Sequence, residues 1–250
     1  MPATYPCRIG PARRRANVVV IAPHPDDDAI GCGGTLLRLA ARGLRINVIY
    51  VTDGSASHVK SKRFPPARLR AIREDEARAA LLRLGVRSAP LFLRAPDGAL
   101  SQVDPGQRHQ LVAAIARRIA ALRARIIFAP WPRDPHPDHV ATTAIVQDAL
   151  AACGLRPAVY YYRVWLPVRG SAGELPGSDE ADVDDVALTQ RDVARKRRAI
   201  MQHRSQTGAL IDDDPEGFCI DAQMLSAWLA PIERFYRPRA AKRVEAVHVS

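Results

Sequence analysis

A chain of 250 residues with 47% apolar and 25% charged residues can bury a sizeable core and is too apolar for a disordered or fibrous protein. Its charge stands out, because 37 basic against 26 acidic residues leave a formal +11, which would suit a polyanionic partner. All but Lys60, Lys62, Lys196 and Lys242 of the basic residues are arginines, spread along the chain without zinc-finger spacing, heptads or an aromatic-basic motif, so no nucleic-acid partner is expected.

In chain order, NVVVIA (17–22) reads as a buried strand, and Thr35 to Arg42 as a helix stopped by Gly43. RINVIYVT (45–52) is a second strand. Pro66 to Leu84 keeps Leu69, Ile72, Ala80 and Leu84 in helical phase, with Gly85 as its stop signal. Leu91 to Leu93 is a short third strand, followed by the turn Pro96-Asp97-Gly98. Pro105 to Arg123 is an amphipathic helix, RIIFAP (125–130) a fourth strand and Val140 to Ala152 a fourth helix. AVYYYRVW (158–165) is a fifth strand. Gly170 to Asp185 reads as a surface loop, Val186 to Gln190 as a further strand, and Arg191 to His203 as a helix with a basic face.

This alternation predicts an α/β protein with a Rossmann-like, doubly wound, mostly parallel sheet and helices on both faces. One domain over residues 1–250 is expected, with a basic N-terminal arm (1–16) containing Arg13 to Arg15 and a flexible tail (240–250). Cys7, Cys32, Cys153 and Cys219 form no C-x-x-C pair, so neither a disulfide framework nor cysteine-bound zinc is expected. The run 17–22 is too short for a signal peptide, and no stretch approaches the ~18 apolar residues of a membrane span. The expected location is the cytoplasm; the oligomeric state is open.

Two clusters carry the chemistry. Pro23-His24-Pro25-Asp26-Asp27-Asp28 follows the first strand, and Pro130 to His139, containing Asp134-Pro135-His136-Pro137-Asp138-His139, follows the fourth. In a sheet ordered 3-2-1-4-5 these strands are neighbours at the point where the winding reverses, and ligands bind in that crevice. A catalytic zinc takes three His or carboxylate ligands and keeps one position open, and His24, Asp27 and His139 can supply them. Such a set also accepts Fe, Co or Mn. Asp26, beside a ligand, can act as the base toward water, and His136 can serve on the far side of the substrate. Asp138 is expected to accept from the ring of His136 and keep it cationic. Gly31, Gly33 and Gly34 make a poor dinucleotide fingerprint and are expected to form a tight turn beneath the metal. The stretch Lys60 to Arg73 opens on the same sheet edge and is expected to hold an anionic substituent of the substrate.

At these residues the chain resembles the LmbE-like or PIG-L family of metal-dependent N-acetylglucosamine deacetylases, through His24-Pro25-Asp26-Asp27-Asp28 with Gly31 to Thr35, and His136-Pro137-Asp138-His139. The resemblance extends to Arg73-x-x-Glu76-Ala77 and to Lys196 through Gln206, and departs at Asp28, where the family usually has Glu. It implies one zinc per chain on His24, Asp27 and His139, and Asp26 as general base. It also implies His136, oriented by Asp138, as acid or oxyanion partner, Arg73 as a substrate contact, and His203 as a group polarising the acetamide oxygen. The implied partner is a small amino-sugar conjugate, deacetylated to acetate and a free amine. The alternatives are a metal-dependent amidase acting on a sugar-thiol or peptide-like conjugate and, from another class, a nucleic-acid-binding protein.

Overall fold

The strands are β1 (Asn17–Ala22), β2 (Arg45–Thr52), β3 (Leu91–Ala95), β4 (Ile126–Pro130), β5 (Ala158–Tyr162), β6 (Ala181–Ala187) and β7 (Ile232–Pro238). In the computed structural model, which describes residues 16–239, they form one sheet ordered β3-β2-β1-β4-β5-β7-β6. The expected order 3-2-1-4-5 is present and wholly parallel, and β7 and β6 extend it with antiparallel pairings. The run NVVVIA is apolar without alternation because both faces of β1 are covered: Val18 and Val20 enter one core, Val19 and Ile21 the other.

The helices are α1 (Asp27–Ala41), α2 (Pro66–Leu84), α3 (Pro105–Leu122), α4 (Pro137–Ala152), the single turn α5 (Leu166–Arg169), α6 (Gln190–Ile200) and α7 (Ala222–Trp228). α1, α2 and α6 pack together on one face, through Leu36, Leu39, Ala77, Leu81 and Ala199. α3 and α4 cover the other with Leu111, Ile115, Ile145 and Val146. The doubly wound arrangement is therefore as expected. Among the described residues no helix is long and apolar enough to cross a membrane. The expected arm (1–16) and tail (240–250), with Cys7 and His248, lie outside the described residues except for Ala16, whose carbonyl accepts from the Arg45 amide at 3.1 Å.

Three expectations need correction. First, α1 starts at Asp27 and not at Thr35, so Gly31, Gly33 and Gly34 lie inside a helix and make no turn. Two of them admit close neighbours: a methyl group at Gly31 would overlap the ring of Tyr162, and one at Gly34 the side chain of Leu188. The Glu233 carboxylate also reaches α1, accepting from the amides of Gly34 (2.8 Å) and Thr35 (2.7 Å) and from Thr35 Oγ1 (2.6 Å). Its ion pair with Lys196 Nζ, at 2.8 Å, ties α6 to β7 in the buried interior.

Second, the segment expected as loop (170–185) contains most of β6, and the strand expected at 186–190 starts earlier and stops at Ala187. Its aspartates are held by arginines of and just beyond β7: Asp185 by Arg234, Asp184 by Arg237 and Asp182 by Arg239. Third, β5 ends at Tyr162, and Val164 and Trp165 leave the sheet to start α5.

Candidate functional site

β1 ends at Ala22 and α1 begins at Asp27, so Pro23 to Asp26 form a tight connection at the carboxyl end of the sheet. The His24 carbonyl closes it by accepting from the amides of Asp26 (2.8 Å) and Asp27 (3.3 Å). β4 ends at Pro130, and α4 starts at Pro137 with His136 at its cap. Because β1 pairs directly with β4, the two connections meet. Asp27 Oδ2 stands 3.0 Å from His24 Nδ1 and 3.2 Å from His139 Nε2, all three side chains being buried.

These three residues fit a metal ion. Their ligand atoms lie within 4.8 Å of one another. The two N···O separations approach the roughly 3.3 Å ligand-to-ligand edge that bonds of about 2.0–2.1 Å give in a tetrahedron. His139 Nε2, shut off from solvent, makes no hydrogen bond of good geometry among the described residues, although the Asp27 oxygen is near. A second group, His24, His136 and Asp138, shares His24. Its carboxylate is otherwise engaged, since Asp138 accepts from the amides of Gly98 (2.7 Å) and Leu100 (3.1 Å) and faces His24 Nε2 at 3.2 Å.

The electrostatics favour a cation here. Burial works against a charged His24, but Asp27, Asp138 and Asp97 together hold the ring well above its ordinary pKa. Burial opposes a charged His139 as well, and Asp27 and Asp134 still lift it to about 9. Asp27 stays well below the carboxylate range despite its burial because both rings face it. Carboxylates thus crowd around two imidazoles, and a divalent ion can replace the protons they attract.

Asp26 and Arg73 stand beside this set on the wall of a cavity of about 460 Å³, a volume suited to a small ligand. Arg73 Nη2 donates to Asp26 Oδ2 at 3.0 Å and Nη1 to the Gly54 carbonyl at 2.9 Å. Burial raises the Asp26 pKa, with the Arg73 charge opposing. Asp28 turns away from the cavity: its Oδ1 accepts from Tyr50 Oη at 2.9 Å, and burial lifts its carboxyl to about 7.

The expected link between His136 and Asp138 runs through the backbone. His136 Nδ1 accepts from the Asp138 amide at 3.2 Å, and the Asp138 carboxylate is spent on Gly98, Leu100 and His24. His136 is accordingly not kept cationic. Burial, then the charge on His24, lowers its pKa to about 4, leaving a neutral ring with Nε2–H as donor. His203 is fully buried, is absent from the cavity lining and has no partner for either ring nitrogen among the described residues. Burial, then Arg73, lowers its pKa to about 3. The structure does not bring it to the cavity wall.

The basic stretch is likewise directed largely away from the cavity. Lys60 pairs with Glu216 and Arg63 with Asp212, while Asp213 accepts from Ser61 Oγ and from the amides of Lys62 and Arg63. Of that stretch, only Arg73 lines the cavity.

Two site residues escaped the sequence reading. Asp97, in a turn after β3, faces His24 Nε2 at 3.1 Å and lines the cavity. Asp134, fully buried, faces His139 Nδ1 at 3.0 Å and accepts from the amides of Val164, Trp165 and Leu166. Their shared signal is a carboxylate just past the carboxyl end of a parallel strand, the same rule that singled out the two clusters.

Known proteins resemble this chain in sequence and in fold. The family model described as "PIG-L: GlcNAc-PI de-N-acetylase" matches residues 19–150. The 1D-myo-inositol 2-acetamido-2-deoxy-alpha-D-glucopyranoside deacetylase of Rhodococcus jostii (strain RHA1) is 28% identical over 238 residues, covering 76% of this chain and 81% of that one. A Bacillus anthracis protein named "Probable N-acetyl-alpha-D-glucosaminyl L-malate deacetylase 2" is 26% identical, covering 78% of this chain and 83% of its own. Among solved structures, N,N'-diacetylchitobiose deacetylase from Pyrococcus horikoshii superposes with a TM-score of 0.58 at 25% identity, covering 80% of this chain and 73% of that one. The family match takes in more than half of the chain, including both His/Asp clusters and Arg73. The chain therefore belongs to the PIG-L family of deacetylases, hydrolases that act on amide bonds.

Proposed function

We propose that this protein removes the acetyl group of an N-acetylglucosamine-type conjugate, giving acetate and a free amine, with a divalent metal held by His24, Asp27 and His139. The observation that carries this reading is the convergence of those three buried residues on one point beside the Asp26–Arg73 pair, in a cavity of small-molecule size. Bound there, zinc, or Fe, Co or Mn in its place, supplies Lewis acidity toward the amide carbonyl and lowers the pKa of water at the open position.

The chain's own groups account for the protons. Asp26, positioned by the Arg73 guanidinium, takes a proton from the attacking water as the new C–O bond forms. His136 presents its Nε2–H to the carbonyl oxygen, where negative charge develops. When the C–N bond breaks, Asp26 returns the proton to the departing nitrogen, so water is divided between acetate and amine. Its raised pKa suits it to both halves of that transfer. Arg73 holds Asp26 in place from α2.

The test is acetate release from a panel of N-acetylglucosaminyl conjugates by the metal-loaded protein. Release that a chelator stops and added zinc restores supports the reading. A metal-loaded protein that releases acetate from no member of the panel overturns it.

A further inference from the structure

The cavity has an acidic inner end, and its cations are few. Arg73 is spent on Asp26 and the Gly54 carbonyl, and Lys60 and Arg63 are spent on Glu216 and Asp212. Arg169, at the end of α5, is differently placed. Its guanidinium lies 4.1 Å from the centre of the Trp165 ring, and Nη2 donates to the Pro135 carbonyl at 3.1 Å. It is exposed and lines the cavity, and among the described residues no carboxylate pairs with it.

A guanidinium with one edge on a carbonyl and one face on an indole is fixed in direction and keeps its other N–H groups for a ligand. Its base is fixed too. Asp134 accepts from the amides of Val164, Trp165 and Leu166 while facing the ring of His139. The same carboxylate therefore sets both a metal-site histidine and the turn that carries Trp165 and Arg169. Glu216 shares the cavity wall, and its charge is offset by Lys60.

We infer that Arg169, stacked on Trp165, binds an anionic group on the part of the conjugate that lies beyond the amino sugar. A carboxylate or a phosphate meets the requirement, since either accepts two N–H groups from one guanidinium edge. This rests on the proposed deacetylation for the bond that is cleaved, but the charge preference can be read without turnover.

The experiment compares ethyl, carboxymethyl and phosphonomethyl glycosides of N-acetylglucosamine on wild type, Arg169→Gln and Arg169→Lys. Each is followed by steady-state kinetics and by calorimetric binding to the zinc-loaded protein. In Arg169→Gln, the preference for the anionic glycosides over the ethyl glycoside should fall about tenfold, through KM and Kd and not kcat. Arg169→Lys should recover part of it, and the wild-type preference should shrink as salt is raised. The two anionic arms show whether carboxylate or phosphate is preferred. A wild type without preference for either anion, or a preference that survives Arg169→Gln, overturns the inference. If no glycoside is deacetylated, the proposed reaction fails, and the Kd series still decides the role of Arg169.

Discussion

Asp134 and His139 face each other through Oδ1 and Nδ1 at 3.0 Å, both fully buried, and the remaining capacity of the carboxylate is filled by three backbone amides. The imidazole is thereby turned so that Nε2 points at Asp27. A carboxylate behind a metal-binding histidine fixes its orientation and raises its basicity. Asp134→Asn should weaken zinc binding about 10- to 100-fold, measured by competition with a chromophoric chelator. Wild-type affinity in this variant would show that the contact is structural only.

Asp26 and His139 are assigned different work, and the two substitutions separate it. Asp26→Ala should lower kcat by about 10²- to 10⁴-fold while the purified protein keeps its metal. His139→Ala should lose the metal itself. Metal analysis beside the acetate assay distinguishes them, and equal metal loss in both variants would contradict the division of roles.

Zinc binding should release protons. His24 and His139 are raised above the ordinary imidazole value, His139 to about 9, so near neutrality the metal-free rings are protonated. Only neutral nitrogens bind the metal, so affinity should rise as pH climbs from about 6 toward 9. Calorimetric titration in two buffers of different ionisation enthalpy measures the protons released; identical heats in both would exclude this linkage.

Glu233, on β7, holds the middle of α1. Glu233→Ala would leave Lys196 charged and unpaired in the interior and the amides of Gly34 and Thr35 without their acceptor. Removing one partner of such a pair costs about 3–5 kcal/mol, a loss that urea unfolding of the metal-free variant would register. A variant as stable as wild type would mean that water replaces the carboxylate.

Much of the parallel half of the sheet was legible because its signals are local. β1 and β2 are short runs rich in Val and Ile, and α2 is bracketed by Pro66 and Gly85, so the sequence reading and the structure agree on their limits. The start of α1 is not legible because three glycines normally weaken a helix, and only the distant Tyr162 and Leu188 explain why Gly31 and Gly34 stay in this one. The sequence of β6 reads largely as loop because ADVDDVA places three aspartates where a strand seldom has them. Their arginine partners come some fifty residues later in the chain, beyond what a local pattern can show. The site was legible for the same reason as β1, since each cluster is compact in sequence and strand order alone joins them. The backbone link from His136 to Asp138 and the place of Asp134 depend on side-chain direction, which spacing does not encode.

The pairing of Lys60 and Arg63 with the acidic segment 212–216 has a consequence for the cavity as a whole. The metal-side jaw is anchored in parallel strands and buried helix starts, where packing fixes positions to fractions of an ångström. The opposite jaw, bearing Ser57, Glu216 and Phe218, joins two loops through the Phe218 amide, which donates to the Ser57 carbonyl at 2.8 Å, and through solvent-facing ion pairs of Lys60 with Glu216 and of Arg63 with Asp212. Salt screens those exposed pairs and leaves the strands and the backbone bond between the loops in place. The two halves of one cleft are thus held by different means, the His/Asp side by buried packing and the other partly by exposed charge.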